Sequence, residues 1–444
     1  MNRHSLVVLW LVVFIGLMGF GLTTLPFPLV IEQMGGSDFW KTFGGPGVYS
    51  LFTFLSTPLW GRLSDSVGRK PVLVLSMLGS AIAYVWLGYA DTLASVIAAR
   101  AFGGIMSGNI AAAFAYVTDV TEVRNRARGL GIVSSAFGLG FAIGPFIGGQ
   151  LGRLPDGTAS LLMPCLVAAA ASGLAMLGAW FALDESLPAD HRKPWRKRGH
   201  SHLPQQSGVV TAVSEQARSA LVASAGTAPH GAAENVNVPS AAENVNVPFT
   251  QPRPLLANPV LLGLISAALL VSIGGTIMQS VYLFWARDVF GHDIGQVAWQ
   301  FLWLAGISTA GQLVLVGPLV ARFGERGTAM IAMIGFSTGL VLMTLVPHPV
   351  TLWLGITIFG AGLGTFTPSV TSLVSFEADP RSRGAAMGTY QAATSAGRII
   401  GPAVAGPIYF KMSIAAPYLL SAILALIGLA LLLRAPGSHP SARR

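Results

Sequence analysis

A charged segment interrupts the apolar sequence of this chain: Gly61-Arg62-Leu63-Ser64-Asp65-Ser66-Val67-Gly68-Arg69-Lys70-Pro71-Val72-Leu73. Apolar sequence ends at Trp60 and resumes at Pro71, so the segment is too short to form a domain of its own. Gly61 and Gly68 permit tight turns or a positive φ, and the adjacent basic residues are typical of the cytoplasmic ends of membrane helices. The segment is therefore predicted to be a short cytoplasmic connection between two membrane-spanning helices.

The composition of the whole chain fits that prediction. Its 444 residues are 52% hydrophobic and only 10% charged, whereas globular proteins carry about 25% charged residues. A soluble chain this poor in charge would lack a polar surface, so we expect a polytopic membrane protein of the all-α class. Each spanning helix needs about 20 apolar residues.

Several classes of protein and site are excluded by what the sequence lacks. The net charge of +9 comes from basic residues that lie between apolar runs and form no single patch, so no nucleic-acid partner is expected. The single cysteine, Cys165, excludes an intramolecular disulfide and a cysteine-cluster metal site. No H-E-x-x-H, G-x-S-x-G or P-loop motif is present, so neither an enzyme nor a cofactor is expected.

About twelve apolar runs are long enough to span a membrane, six on each side of a polar middle. They lie near residues 6–31, 42–60, 71–90, 93–118, 129–152, 160–183, 259–286, 296–321, 328–347, 350–373, 384–410 and 414–433. The first run has no small-residue cleavage pattern and is interpreted as a retained helix. The predicted domains are two six-helix bundles, 1–183 and 257–434, a disordered linker, 184–256, and a tail, 435–444.

The distribution of Lys and Arg predicts the orientation of these helices. With both termini in the cytoplasm, 21 of the 27 basic residues fall on the cytoplasmic side, and four fall on the outer side. The remaining two, Arg100 and Arg398, lie within predicted helices. The absence of a targeting signal favours the inner membrane of a bacterium.

The two halves of the chain resemble each other at a nearly fixed offset. Gly61 and Gly68 correspond to Gly317 and Gly324, a shift of 256 residues, and Gly144-Pro145 corresponds to Gly401-Pro402, a shift of 257. Several anchors in one register indicate two parallel repeats of six helices.

The pattern G-x-L-x-D-x-x-G-R-K-x-x-L in the charged segment resembles the signature between helices two and three of the major facilitator superfamily. The resemblance implies twelve helices in two halves that rock about a central substrate site. It also implies a conformational latch on the cytoplasmic side, in which Arg69 pairs with Asp119 and Asp65 faces the start of helix eleven near Gly384. The predicted latch residues are Gly61, Asp65, Gly68, Arg69, Lys70 and Asp119.

The predicted fifth helix carries a second pattern, G-x-x-x-G-P-x-x-G-G, formed by Gly140, Gly144, Pro145, Gly148 and Gly149. It resembles the motif of the drug:proton antiporter branch, which includes the tetracycline exporters, and the resemblance implies export. Small residues four apart also allow close helix packing in general, and helix eleven has a similar stripe. Generic packing therefore remains an alternative interpretation.

Proton coupling has few candidates in this sequence. Arg100 resembles the helix-four arginine of proton-coupled members, although an arginine that extends to the outer surface is the alternative. Tetracycline exporters have an acidic residue within helix one, and this chain has none there. Asp119 and Glu32 are the remaining acidic candidates, and facilitated diffusion stays open.

The substrate site is expected between the halves at mid-membrane depth. Its candidate polar and aromatic residues are Asn109, Tyr116, Gln279, Tyr282, Trp299, Gln300, Trp303, Tyr390 and Arg398. Apolar walls with few polar groups suit an amphipathic organic molecule. We therefore expect a monomeric transporter that exports drug-like molecules in exchange for protons. A facilitator or symporter for a small metabolite, such as a sugar or amino-acid derivative, is the alternative.

Overall fold

The computed structural model describes residues 3–108, 110–121, 126–188, 190, 192, 258–345, 347–378 and 382–434. Regular structure in these ranges is helical, apart from one isolated bridge between Arg153 and Ala159. The predicted linker lies outside them except for 184–188, 190 and 192, and the predicted tail, 435–444, lies wholly outside them.

Six membrane-crossing helices form the first half of the fold. Their bounds are α1, Arg3–Thr24 continued by Pro26–Gln33; α2, built from Asp38–Thr42, Phe43–Gly47 and Val48–Val67; α3, Arg69–Gly88; α4, Leu93–Met106 and Ile110–Val120; α5, Arg126–Leu151; and α6, Leu162–Ala182.

Six further crossings form the second half. Their bounds are α7, Pro259–Phe290; α8, Ile294–Ala310 with Gly311–Leu315 and the start of Val316–Leu345; α9, the remainder of Val316–Leu345; α10, Pro349–Glu377; α11, Arg383–Lys411; and α12, Ala416–Arg434. The prediction of an all-α fold with twelve helices in two halves is confirmed.

The turn between α8 and α9 is reduced to a single residue. Gly324 has a φ of 70° and a ψ of 171°, which interrupts an otherwise continuous helix. The stretch Ile294–Leu345 is 52 residues long, about twice what one crossing requires. Seven helical stretches in the described ranges, this one included, are long and apolar enough to cross a membrane by length and composition.

Each half has its own apolar core, and the two repeats pack in the same way. Helix α5 lies against α1 in the first half, and α11 lies against α7 in the second. We call the end of the bundle that holds the turn at Gly68 the signature end. The opposite end, which holds the α1–α2 and α7–α8 turns, is called the far end.

Candidate functional site

The charged segment contains a single non-helical residue. Helix α2 continues to Val67, Gly68 has a φ of 119° and a ψ of 165°, and α3 begins at Arg69. This conformation is almost restricted to glycine. A Cβ at Gly68 would also overlap the Glu185 carboxylate. The signature glycine therefore allows the sharp turn and the close approach of an acidic side chain.

Arg69 joins the ends of three chain segments at this turn. Its Nη1 donates to Asp65 Oδ1 at 2.6 Å and to Ser64 Oγ at 2.9 Å, and its Nε donates to Asp119 Oδ2 at 3.3 Å. Ser186 donates to the same Asp119 oxygen. The arginine is largely buried, so its charge is compensated by two carboxylates within one half of the molecule.

Glu185 is a member of this cluster that the sequence analysis did not select. Its carboxylate accepts from the backbone N–H groups of Arg69 at 2.8 Å and Lys70 at 3.3 Å, so it stabilises the positive N-terminal end of α3. The sequence did contain a signal for this contact: an acidic residue directly after α6, at the same end as the signature segment. The predicted linker therefore begins with residues that pack on the first half.

We expect Gly68→Ala to destabilise this turn by about 1–3 kcal/mol, the range for a residue held in a sparsely populated backbone region. Thermal unfolding of the purified protein in detergent measures the effect. Gly317→Ala is the control, since Gly317 occupies the equivalent place to Gly61 in the second half and has open space around its Cβ position. Equal melting temperatures for the two variants would contradict the assigned backbone strain.

A second charged cluster joins the two halves at the far end. Arg287 of α7 donates to Glu32 of α1 at 2.7 Å and to the neighbouring Asp288 at 3.2 Å. The other Asp288 oxygen accepts from the Tyr409 hydroxyl of α11. Lys41 of α2 lies 3.9 Å from Glu32. Glu32, one of the predicted proton carriers, is thus the acceptor in an ion pair between the halves.

Further contacts close the far end on either side of that cluster. Arg153 pairs with Asp293 at 3.1 Å, and Gln150 donates to the Gly295 carbonyl. The Thr42 hydroxyl donates to the Pro402 carbonyl at 2.9 Å, in a buried position. These hydrogen bonds and ion pairs join the two halves at the far end.

The signature end has a different arrangement. Asp65 pairs with Arg69 inside its own half, and a Cβ built at Gly384 would have no neighbour within 4 Å. The predicted approach of Asp65 to helix α11 is therefore absent from this conformation. Within the described residues, α11 contacts the first half at Pro402 and Gly406, towards the far end.

The α5 glycines make close contacts with two different neighbours, α1 of the same half and α8 of the other half. Cβ atoms at Gly140 and Gly144 would lie 2.8 Å from Leu17 Cβ and 2.7 Å from the Met18 carbonyl, and a Cβ at Gly148 would overlap the Leu22 carbonyl. This stripe seats α5 on α1, and Pro145 lies beside Gly21 in the same contact. A Cβ built at Gly149 would instead contact Ala298 of the second half.

Arg100 is enclosed within the first half. It is 2% exposed, and its guanidinium lies over the rings of Phe20, Phe27 and Tyr49, with centroids 5.2–5.6 Å away. Its Nε and Nη2 atoms have no hydrogen-bond partner among the described residues. Ring faces attract a cation but do not neutralise it. The arginine does not extend to the outer surface.

Two predicted cavity residues belong to the cores of the halves instead. Tyr116 is 1% exposed, and its hydroxyl donates to the Asp184 carbonyl. Tyr282 is 2% exposed and donates to Gln300 Oε1 at 2.8 Å. Neither side chain faces a cavity in this conformation, because each hydroxyl finds a partner inside its own bundle; their contact with a substrate stays a prediction.

Gln300 continues that network to the far end. Its Nε2 lies 2.9 Å from His292 Nδ1. Because its Oε1 already accepts from Tyr282, the amide nitrogen donates to Nδ1, which requires a neutral imidazole. Burial lowers the pKa of His292 from its ordinary value, although neighbouring Asp293 acts in the opposite direction. The network is therefore suited to a histidine that stays neutral near pH 7.

The other cavity candidates are scattered. Trp303 donates to Thr357 of α10 and is half exposed, and Tyr390 is buried and accepts from Thr371. Gln279 and Arg398 are exposed on α7 and α11. Trp299 packs edge-on against Phe146 of the first half. Asn109 lies outside the described residues.

Three comparisons with known proteins agree with this architecture. The sequence profile of the Major Facilitator Superfamily matches residues 9–320 and 265–444. The class C tetracycline resistance protein of Escherichia coli is 25% identical over 412 residues, which are 92% of this chain and 90% of that protein.

Solved structures show the same fold. The human organic anion transporter MFSD10 (TETRAN) aligns with a TM-score of 0.64 at 24% identity, over 97% of this chain and 99% of that one. A bacterial homologue of the human lysosomal transporter Spinster, in an inward-facing and unoccupied conformation, aligns at 0.69 with 17% identity, over 98% and 96%. The chain belongs to the Major Facilitator Superfamily of membrane transporters and is not an enzyme.

Proposed function

We propose that this transporter exports amphipathic organic molecules by alternating access. One observation carries the proposal: the charged contacts between the halves close the far end, while the signature cluster is satisfied within one half. A cavity between the halves is then accessible from the signature end alone. The strong excess of basic residues at that end supports its placement in the cytoplasm, with both chain termini.

The signature cluster supplies the second state in this proposal. When the halves close at the signature end, Asp65 reaches the N-terminus of α11, where a carboxylate is stabilised by about 0.3–1 kcal/mol, up to about 2 when partly buried. An interaction of that size can form and break in each cycle. Arg69, Asp119 and Glu185 hold Asp65 in position for this contact, and Gly68 allows the turn that brings them together.

Cargo and energy source are also part of the proposal. The names of a relative and of a structural neighbour refer to tetracycline and to organic anions, and we extend this to amphipathic organic molecules as the cargo. Exchange with protons is proposed through the acidic residues at the helix ends, Asp119 and Glu32. The acidic residues of the described ranges lie at helix ends or in turns, an observation that favours a facilitator as the second candidate.

The proposal includes a cell membrane, most simply the inner membrane of a bacterium, and a monomer as the working unit. The predicted linker, 184–256, and the predicted tail, 435–444, are proposed to lie on the cytoplasmic side.

We expect expression of the wild type in a bacterium stripped of its own efflux pumps to raise the inhibitory concentration of at least one amphipathic antibiotic or dye. Asp65→Asn should remove most of that protection, because it deletes the charge needed at α11 and leaves Arg69 with one carboxylate. The comparison is made at matched membrane levels, measured on immunoblots.

Asp91→Asn is the matched control, since Asp91 lies in an exposed far-end turn and the substitution removes the same charge. Its protection should equal that of the wild type. Export would be contradicted if the wild type, well expressed, protected against no compound of a broad panel. The latch would be contradicted if Asp65→Asn protected as well as Asp91→Asn.

A further inference from the structure

Helix α11 presents one continuous face to the first half. At the far end this face carries Pro402 and Gly406, which meet Thr42 and Asp38 of α2. Arg398 lies four residues before Pro402, and Gln391 lies eleven before it, so both share that face by helical periodicity. In the proposed state, with the far end closed and the signature end open, this part of the face lines the space between the halves.

Arg398 has the environment of a residue that lines such a space. It lies near the middle of α11 and is exposed. Its Nη2 donates to Ser395 Oγ at 2.9 Å, and within the described residues it takes part in no ion pair. An arginine keeps its charge in a protein, and a charge at membrane depth normally marks a partner or a ligand pathway.

The equivalent position in the first half is aromatic. The repeat offset that relates Gly144-Pro145 to Gly401-Pro402 relates Phe141 to Arg398. The packing agrees, since Gly144 lies on α1 and Gly401 lies on α7. Phe141 is 44% exposed and meets Phe20 edge-on, with ring centroids 5.9 Å apart. The equivalent positions of the two halves thus carry a cation in one and an aromatic ring in the other.

The charge balance at this depth is positive. Arg100 stands behind Phe20 and Tyr49 without a carboxylate, and the acidic residues of the described ranges lie at helix ends or in turns. A cationic cargo would be repelled by the charges of both arginines, although Arg100 is enclosed, whereas an anionic cargo would neutralise Arg398. The positive electrostatic potential of the two arginines therefore disfavours cationic cargo before any specific contact is made.

We propose that Arg398 is the head-group site for an amphipathic organic anion, whose carboxylate or sulfonate pairs with the guanidinium while its apolar body lies against Phe141 and Phe20. The site deepens the proposed export function and rests on it. The guanidinium fork suits a planar carboxylate, which it can bind through two hydrogen bonds. Aromatic rings supply a large contact area without selecting a particular body.

The test measures binding and not transport, so it is independent of export. Purified protein in nanodiscs is titrated with dansylglycine, pyrenebutyrate and naphthylacetate, each compared with its own primary amide, and fluorescence or competition gives the dissociation constants. We expect the wild type to bind the acids about tenfold or more tightly than the amides, as a charge-assisted hydrogen bond implies. Arg398→Gln should bind acid and amide alike, at the affinity the wild type has for the amide.

Three variants separate a head-group site from a structural role. Arg398→Lys should keep part of the preference for the acid, because it keeps the charge but loses the fork. Phe141→Ala should weaken acid and amide by the same factor, leaving their ratio unchanged. Lys411→Gln removes the same charge from the exposed end of the same helix and should change neither affinity.

The outcomes distinguish this proposal from the proposed function. A wild type that binds no acid better than its amide would overturn the anion site, even if the cells were protected from a neutral or cationic drug. An Arg398→Gln variant that weakens acid and amide equally would also overturn it, because the arginine would then be structural. Binding with the expected pattern but without flux in cells would instead count against export alone.

Discussion

Replacing Gly148 with alanine should prevent the first half of the molecule from folding normally. The added Cβ would overlap the Leu22 carbonyl, and that carbonyl belongs to the backbone of α1. Backbone cannot move aside as a flexible side chain can, so α5 and α1 would have to separate along their whole contact. We expect a loss of about 3 kcal/mol or more, at the upper end of the range for overpacking a core.

Fluorescence-detected size-exclusion chromatography and thermal unfolding in detergent measure this effect. Gly173→Ala is the control, because Gly173 lies inside α6, with no neighbour within 4 Å of a built Cβ. It should elute and melt like the wild type or slightly above it, since alanine favours a helix over glycine. A Gly148→Ala protein that melted like Gly173→Ala would refute the close contact between α5 and α1.

Replacing Gly406 with alanine should change the conformation of the transporter and leave its fold intact. A Cβ at Gly406 would overlap the Asp38 carbonyl and lie 2.6 Å from Thr42 Oγ1. Both residues belong to α2 in the other half, so the overlap exists only while the far end is closed. Opening that end relieves it, whereas no rigid-body motion relieves the overlap at Gly148.

Overpacking of about 1–3 kcal/mol would shift the equilibrium between the two states about 5-fold to 150-fold. The Gly406→Ala protein should therefore favour the state with an open far end. It should still elute as a single species, which separates it from Gly148→Ala. Gly388→Ala lies on the same helix with open space around it, so its population should equal that of the wild type.

The sequence alone was sufficient to identify the elements that repeat. Gly68 and Arg69 lie in one short signature, and the resemblance to the major facilitator superfamily implied that Arg69 pairs with Asp119, as it does in the structure. The close packing of α5 against another helix could also be predicted, since glycines four apart on a helix allow a neighbouring backbone to approach. The sequence could not say which glycine meets its own half and which meets the other; Gly148 and Gly149 are neighbours in sequence with opposite partners.

Polar residues inside helices were harder to predict. Tyr116 and Tyr282 were assigned to the cavity, and each hydrogen-bonds inside its own half, because a buried hydroxyl needs only one acceptor. Glu185 was missed because its partners are backbone N–H groups of α3, so its position directly after α6 was the available signal. Arg398 was predicted to lie within a membrane helix, but the sequence could not say whether its side chain is exposed, because exposure depends on the conformation.

Two distances decide whether the halves rock as a pair of rigid bodies. Spin labels at Asp91 and Met412 report the far end, and labels at Arg62 and Ala321 report the signature end, in a background where Cys165 is replaced by alanine. Electron–electron double resonance gives both distance distributions for the wild type and for Gly406→Ala. Alternating access predicts two changes in the variant: a longer far-end distance and a shorter signature-end distance. Both changes should appear in a similar fraction of the molecules. A longer far-end distance with an unchanged signature end would contradict it, because the two ends would then open independently.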